Sequence, residues 1–333
     1  LFLPGPCDAL KTMEAIYVWD YALRTKVALN SVTQRRFFEG ALIRHADGFG
    51  CVHPWPEFGD APLAEQMALL AEGTLTPVTQ RALHCARIDG EARRAGLSLF
   101  AGLEIPQSHW SWSFSHSTND QIARVLGEGW PAIKAKGLPN HGETARFLEA
   151  CCAVAGNAPL RLRVDFNGCL DAASFGRFVE FMPLKVYRRL DFVEDPFPYD
   201  PALWNQVRDQ WGVRLALDKG WRDGTTGFDA VVVKPGRRDW RNVAETHPTQ
   251  PLVLTSAMDH AIGQMYAAYE AGVALQELGS RVDLCGLCTH HLFEPDCFFD
   301  RIEAHAGFLS PDLSGGGLGF GDLLEGLPWR RLR

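Results

Sequence analysis

The sequence predicts an α/β chain built mainly as a (β/α)8-type barrel, with an α+β capping domain made from the N-terminal segment and the C-terminal tail. Two observations carry this. After Gly96, short apolar runs recur at regular intervals, each followed by a stretch with helical apolar spacing. Eight such runs can be counted, and eight strands joined by crossovers demand a parallel sheet that the count closes. No GxGxxG follows any run, which sets an open doubly wound sheet behind the barrel.

The elements follow in order. Residues 13–95 read as the capping domain. AIYVWDYALRTK from Ala15 and FFEGALIRHADGFGCVHPW from Phe37 alternate and are rich in β-branched and aromatic residues, so they read as strands. PLAEQMALLAEG from Pro62 and PVTQRALHCARIDGEARRAG from Pro77 each open on Pro and close on Gly, as helices do. Residues 96–305 read as the barrel. Its runs are LSLFAGL from Leu97, PAIKAK to Lys136, LRLRVD to Asp165, RLDFVE to Glu194, VRLALD to Asp218, DAVVVK to Lys234, PLVLTS to Ser256 and RVDLCGL to Leu287. GETARFLEACCAVAG, SFGRFVEFMPL, PALWNQVRDQWG and AIGQMYAAYEAGVALQELG are helices between them. Residues 306–333 are Gly-rich and non-periodic, and are expected to return to the capping domain. GGGLGF within them lacks the Lys and the helix of a phosphate loop. The residues before Met13 lack the cationic region and apolar run of a secretory signal and read as a leader.

Composition narrows the function classes. With 46% hydrophobic and 22% charged residues in 333, the chain can bury a large core without disulfides or a structural metal. Lys and Arg number 33 against 40 Asp and Glu, so the net charge of -7 offers no basic footprint for nucleic acid or an anionic membrane. No window approaches the roughly 20 apolar residues of a membrane span. Nine irregularly spaced Cys fit reduced thiols, so a cytoplasmic protein acting on a small molecule is expected.

Where the ionisable residues fall points to chemistry, because strand ends in a barrel face the catalytic mouth. Asp165, Glu194 and Asp218 end three consecutive runs and would converge into one oxygen-rich pocket suited to Mg2+. Lys134 and Lys136 sit two apart and share one face of their strand. Mutual repulsion would lower the pKa of one and let it act as a base, while Lys234 stands across the barrel.

Lys134-Ala-Lys136, Asp165-Phe-Asn167-Gly168, Glu194-Asp195-Pro196, Asp218 and Lys234-Pro235, in that order on successive strands, resemble the enolase superfamily, and within it the o-succinylbenzoate synthase and muconate-lactonizing group. The resemblance implies that Asp165, Glu194 and Asp218 bind Mg2+, which grips a substrate carboxylate and stabilises the enediolate formed when the α-proton leaves. By similarity Lys136 is the base, Lys134 tunes it and contacts the carboxylate, and Lys234 faces the other side. Ser256 and Asn167 become candidate substrate-binding residues. The reaction implied is dehydration of a succinyl-hydroxycyclohexadiene carboxylate to 2-succinylbenzoate in menaquinone synthesis. An N-acyl amino acid racemase or related epimerase is the alternative within the fold, and a non-catalytic barrel stands behind both.

Three positions depart from the family pattern. Gly48-Phe49-Gly50-Cys51 replaces a Gly-x-Gly-Glu, so a loop contact with substrate or barrel can differ. Lys219-Gly220 follows Asp218 where an acid and Ser are usual, which bears on support of the metal. Cys285-Gly-Leu-Cys288-Thr289 stands where dipeptide epimerases carry Asp-x-Asp, leaving a substrate ammonium without a partner. Cys285 and Cys288 with His290, His291 and Cys297 could also be read as a zinc cluster, but ligands this crowded seldom reach tetrahedral geometry. HWSWSFSHS from His109 follows the first run and is read either as pocket lining or lid, or as packing.

Overall fold

The computed structural model describes residues 15–29, 33–113, 118–220, 222 and 224–333, so the leader reading lies outside the described residues. Strands β1 (Tyr17–Arg24), β2 (Phe37–His45) and β3 (Gly48–Val52) form an antiparallel meander. Helices α1 (Leu63–Glu72) and α2 (Pro77–Arg94) cover one face, burying Ile16, Val18, Ile43, Met67 and Leu70 in a small core of their own. Pro77 stands in the first turn of α2, where its missing N–H costs nothing, and Thr76 caps the helix by accepting from Thr79 N.

The Gly48-Phe49-Gly50 stretch turns out to be strand and not loop, a close approach of β3 to α2. A Cβ at Gly48 would lie 2.0 Å from Ala86 O, and one at Gly50 2.0 Å from Ala82 O, so only glycine lets the strand lie directly on the helix backbone.

The second unit is a curled parallel sheet of β4 (Trp110–Trp112), β5 (Ala132–Lys136), β6 (Arg161–Asp165), β7 (Leu190–Glu194), β8 (Leu215–Leu217), β9 (Ala230–Val233) and β10 (Leu252–Leu254), each beside its sequence neighbour. Helices α3 (Asn119–Gly127), α4 (His141–Ala155), α5 (Ala172–Glu180), α6 (Leu184–Tyr187), α7 (Pro201–Trp211), α8 (Trp240–Thr246) and α9 (Ala261–Leu278) supply the crossovers. The run ending at Leu287 closes the ring as single bridges. Val282 and Gly286 pair with Leu252 and Thr255, and Cys285 pairs with Ser108 ahead of β4.

The first stave is displaced from its expected place at residues 97–103. There the chain makes turns, with Gly102 at φ +73°, Leu97 exposed, and one bridge from Ser98 to Gly317 in the tail. The stave is instead β4, whose Trp110 and Trp112 pack outward against Trp130 and Phe147. An apolar run marks burial but not alternation, and the alternation lay in the His-Trp-Ser-Trp segment.

Residues of the tail reach the capping unit. β11 (Glu303–His305) and β12 (Phe308–Ser310) form a hairpin, α10 (Gly321–Glu325) follows, and β13 (Arg330–Arg331) adds to the free edge of β1. The glycine-rich loop serves packing: fully buried Asp89 of α2 accepts from Leu318 N at 2.6 Å, Phe49 N at 3.0 Å and Arg93 Nε at 2.6 Å. Gly317 has no room for a Cβ against that carboxylate.

The capping unit is pinned to the barrel by Arg81 of α2, which donates to Pro235 O at 2.9 Å and to Glu270 of α9 at 3.0 Å. Glu270 also accepts from Trp240 Nε1 at 2.7 Å. Burial pushes its carboxyl up, but hydrogen bonds from His84 and Tyr266 and the Arg81 charge outweigh it and bring the pKa to about 2. Because the folded pKa lies below the unfolded value, this support is complete above about pH 4.5 and fades as pH falls toward 2. Glu270→Ala, which takes the buried carboxylate from Arg81 and the acceptor from Trp240 Nε1, is expected to cost about 3–5 kcal/mol in urea unfolding at pH 7. The deficit should shrink in the same titration at pH 3.

Candidate active site

The barrel delivers its chemistry to one end. Lys136, Asp165 and Glu194 are the last residues of β5, β6 and β7, while Asp218 and Lys234 directly follow β8 and β9. Parallel strands of matched register place these ends side by side, with Lys136 opposite Asp165 and Asp165 opposite Glu194. All eight residues singled out from the sequence, namely Lys134, Lys136, Asp165, Asn167, Glu194, Asp218, Lys234 and Ser256, line a single cavity of about 300 Å³.

Ion pairs knit the wall. Lys134 Nζ lies 2.5 Å from Glu194 Oε2 and 3.3 Å from Asp165 Oδ2, and Lys136 Nζ donates to Asp165 Oδ2 at 2.5 Å. Lys234 Nζ donates to Asp218 Oδ2. The Lys134–Glu194 contact is an off-axis charge pair, since among the described residues Glu194 Oε2 accepts no directed hydrogen bond.

These contacts separate the two neighbouring lysines. Burial depresses the Lys134 ammonium, but Glu194 and Asp165 more than reverse it, and its pKa ends above the usual lysine value. Lys136 moves the other way: burial and the Lys134 charge together outweigh Asp165, so it gives up its proton more readily than a free lysine. Burial would push Asp165 and Asp218 up, yet Lys136 beside the first and Lys234 beside the second hold both below the carboxylate range. Glu194 and Asp195 remain pushed up, by burial and then by the carboxylates around them.

Three residues matter here that the sequence reading left aside. Asp195 Oδ1 accepts from Asp218 N at 3.1 Å and so fixes the carboxylate-bearing turn, while its Oδ2 is buried without a partner among the described residues. Lys219, read as a departure, reaches over the Phe58 ring at 3.9 Å and donates to Asn167 Oδ1 at 2.8 Å. His109 lines the cavity ahead of β4. Asp195 sits inside the Glu-Asp-Pro motif, and the His-Trp-Ser-Trp alternation could have aimed His109 inward.

Ser256 Oγ bonds Thr289 Oγ1 at 2.6 Å and accepts from Met258 N at 3.3 Å, whereas His260 caps α9. Asn167 takes φ +53°, with its backbone N–H donating to Asp165 Oδ1 at 3.0 Å and its side-chain Nδ2 buried without a partner among the described residues. The Cys and His residues do not form a zinc site. Cys285 Sγ donates to Asp283 O, His291 stacks on Trp110 at 3.7 Å, and Cys297 is exposed. Among the described residues no three His, Cys, Asp or Glu side chains stand ready to hold a metal, and the three strand-end carboxylates face ammonium groups instead. Of HWSWSFSHS, Trp110 and Trp112 pack outward, His109 and Ser111 line the cavity, and residues 114–117 lie outside the described residues.

Comparison with known proteins fits this geometry. Residues 16–92 match the family O-succinylbenzoate synthase, N-terminal domain. The chain is 29% identical over 327 residues to o-succinylbenzoate synthase of Bdellovibrio bacteriovorus, covering 94% of this chain and 97% of that protein. In fold it is similar to N-succinyl Arg/Lys racemase from Bacillus cereus, with TM-score 0.77 and 14% identity, covering 96% of this chain and 100% of that one. It is also similar to a dipeptide epimerase from Cytophaga hutchinsonii crystallised with Mg and D-Ala-L-Val, with TM-score 0.74 and 16% identity over 96% and 100% of the two chains. Muconate lactonizing enzyme from Pseudomonas fluorescens shares the fold at TM-score 0.70 and 15% identity, covering 93% and 96%. The chain is thus similar along nearly its whole length to an o-succinylbenzoate synthase, and its N-terminal unit matches the N-terminal domain of that family.

Proposed function

We propose that the chain is a Mg2+-dependent o-succinylbenzoate synthase of the cytoplasm, dehydrating a succinyl-hydroxycyclohexadiene carboxylate to 2-succinylbenzoate for menaquinone synthesis. The observation that carries this reading is the division of labour between two lysines on one strand. Lys136 is made a willing proton acceptor and Lys134 is pinned as a cation beside it.

The carboxylates fit a Mg2+ ion in kind, being hard oxygen donors gathered on one wall. They also fit in charge, since Glu194 and Asp195 are pushed up by burial and then by the carboxylates around them, and Asp195 Oδ2 is buried without a partner among the described residues. Asp165, Glu194 and Asp218 would hold the ion. When bound, it supplies Lewis-acid neutralisation of charge at the substrate carboxylate.

The chain's own residues account for the proton movements. Neutral Lys136 Nζ takes the proton from the carbon next to the substrate carboxylate, and the Lys134 ammonium stands where negative charge then gathers. The electron pair of the broken C–H bond becomes a ring double bond as the C–O bond breaks. Lys136, now an ammonium, returns its proton to the departing hydroxyl, which leaves as water. Lys234 places a cation four staves away, across the ring of strands. With Lys136 neutral, the cavity wall carries five cationic side chains, Lys134, Lys219, Lys234, Arg237 and Arg238, against the four carboxylates Asp60, Asp165, Glu194 and Asp218, and a bound Mg2+ would add to the positive charge, which favours a dicarboxylate substrate.

A second reading, N-succinyl amino acid racemisation, is favoured by the same opposed pair, because two-base racemisation needs an amine on each face of the α-carbon. The test is direct. Purified protein supplied with Mg2+ is assayed spectrophotometrically on the cyclohexadiene and polarimetrically on N-succinyl amino acids. Faster turnover of the cyclohexadiene is expected, and racemisation without dehydration would overturn the synthase reading.

Lys136→Ala is expected to lower kcat by about 10²- to 10⁴-fold and, because it leaves buried Asp165 without its nearest ammonium, to lower the thermal midpoint as well. Mg2+ should raise the midpoint of the wild-type protein, the stabilisation reaching about 2.7 kcal/mol at 100 times the Kd. Glu194→Gln should lose that shift, and an equal shift in both proteins would remove Glu194 from the ligand set.

A further inference from the structure

His109 is held where the barrel closes. Its backbone N–H donates to Cys285 O at 2.9 Å, and Cys285 N donates to Gln107 O at 2.8 Å, so the residue is stitched into the seam between the first stave and the closing segment. The residue is 1% exposed and lines the cavity.

One neighbour settles which ring nitrogen carries the proton. Arg163 Nη1 lies 3.1 Å from His109 Nδ1. A guanidinium has donors only, so Nδ1 must accept, and the proton of the neutral ring resides on Nε2. Arg163 cannot turn away, because it is fully buried and tied to Asp191 at 2.7 Å, Asp283 at 3.2 Å and Leu284 O at 2.6 Å. The ring also stays neutral: burial, and then Arg163, Lys134 and Lys136, keep its pKa well below the ordinary histidine value.

The Nε2 side is open. It has no hydrogen-bond partner among the described residues, and the residue lines the cavity. Beside it is Gly286, where a Cβ would lie 2.8 Å from Cε1 and 2.9 Å from Nε2, so only glycine lets the closing segment pass this close to the ring edge. A neutral N–H aimed into a cavity that already holds surplus cations offers something the lysines cannot, a directed bond that adds no charge.

We propose that His109 Nε2–H donates a hydrogen bond to an oxygen of the bound carboxylate substrate, with Arg163 acting through Nδ1 as the positioning residue that fixes the tautomer. The inference rests on the synthase reading for the identity of the ligand, and 2-succinylbenzoate is therefore the probe. Nitrogen-15 spectra of histidine-labelled protein with Mg2+ should show His109 protonated on Nε2 alone. Adding 2-succinylbenzoate should move its Nε2–H proton downfield. A proton on Nδ1, or an unmoved signal at saturation, overturns the proposal.

Two variants give the functional readout. His109→Asn offers Arg163 an acceptor near Nδ1 but lacks the reach of Nε2, and it is expected to raise KM by about 10- to 100-fold. His109→Gln places an amide N–H near the Nε2 position and should recover most of that loss. Equal KM for wild type and His109→Asn would overturn the proposal. The two readings fail separately. No dehydration together with a shifted Nε2–H removes the reaction and leaves the hydrogen bond, whereas dehydration with an unmoved signal removes only the hydrogen bond.

Discussion

Like charges cannot be gathered in a protein interior unless opposite charges come with them, and the mouth of this barrel is organised by that constraint. Asp165, Glu194, Asp195 and Asp218 occupy neighbouring strand ends, and Lys134, Lys136, Lys219 and Lys234 are interleaved among them. Removing any one cation would leave a carboxylate with its desolvation cost uncompensated. The same crowding makes the site chemically useful. Two lysines of identical intrinsic basicity are driven in opposite directions because one faces two carboxylates and the other faces one carboxylate and its charged neighbour.

A second charge layer lies deeper. Arg163 pairs in register with Lys134 on the adjacent strand and points into the barrel over the Phe192 ring at 4.4 Å. Asp191 and Asp283 neutralise it, and Arg161 and Arg214 extend the network outward. The barrel is therefore not uniformly apolar: Phe192, Ala216, Ala230, Val232 and Val253 form an apolar cluster on four adjacent staves, while a buried cation supports the floor of the cavity. Rigid support of this kind allows one imidazole to be presented in a defined tautomer.

Much of this was legible from the chain because strand ends and ionisable residues coincide. Lys136, Asp165, Glu194, Asp218 and Lys234 each close an apolar run, so the run both predicts the strand and aims the side chain. The first stave was misplaced for the converse reason. Leu97 to Leu103 is apolar without alternating, and its backbone pairs with the tail, a partner that no local pattern reveals. Lys219 and the Gly48 to Gly50 stretch looked like simple deviations. Their meaning depends on Phe58, Asn167 and α2, which are remote in sequence. Asp195 and His109 lay within segments already singled out, but their roles are hydrogen bonds to Asp218 N and Arg163, and such pairings follow from the fold and not from composition.

The pairing of β13 with β1 has a bearing on synthesis. A ribosome releases β1, β2 and β3 first, yet the edge of β1 receives its partner only after every stave of the barrel has emerged. Throughout that interval the nascent sheet presents an unfilled row of backbone donors and acceptors, the kind of edge to which stray strands add. Arg330 reaching Asp20 across that junction gives the late arrival a charged fastening that a foreign strand would lack.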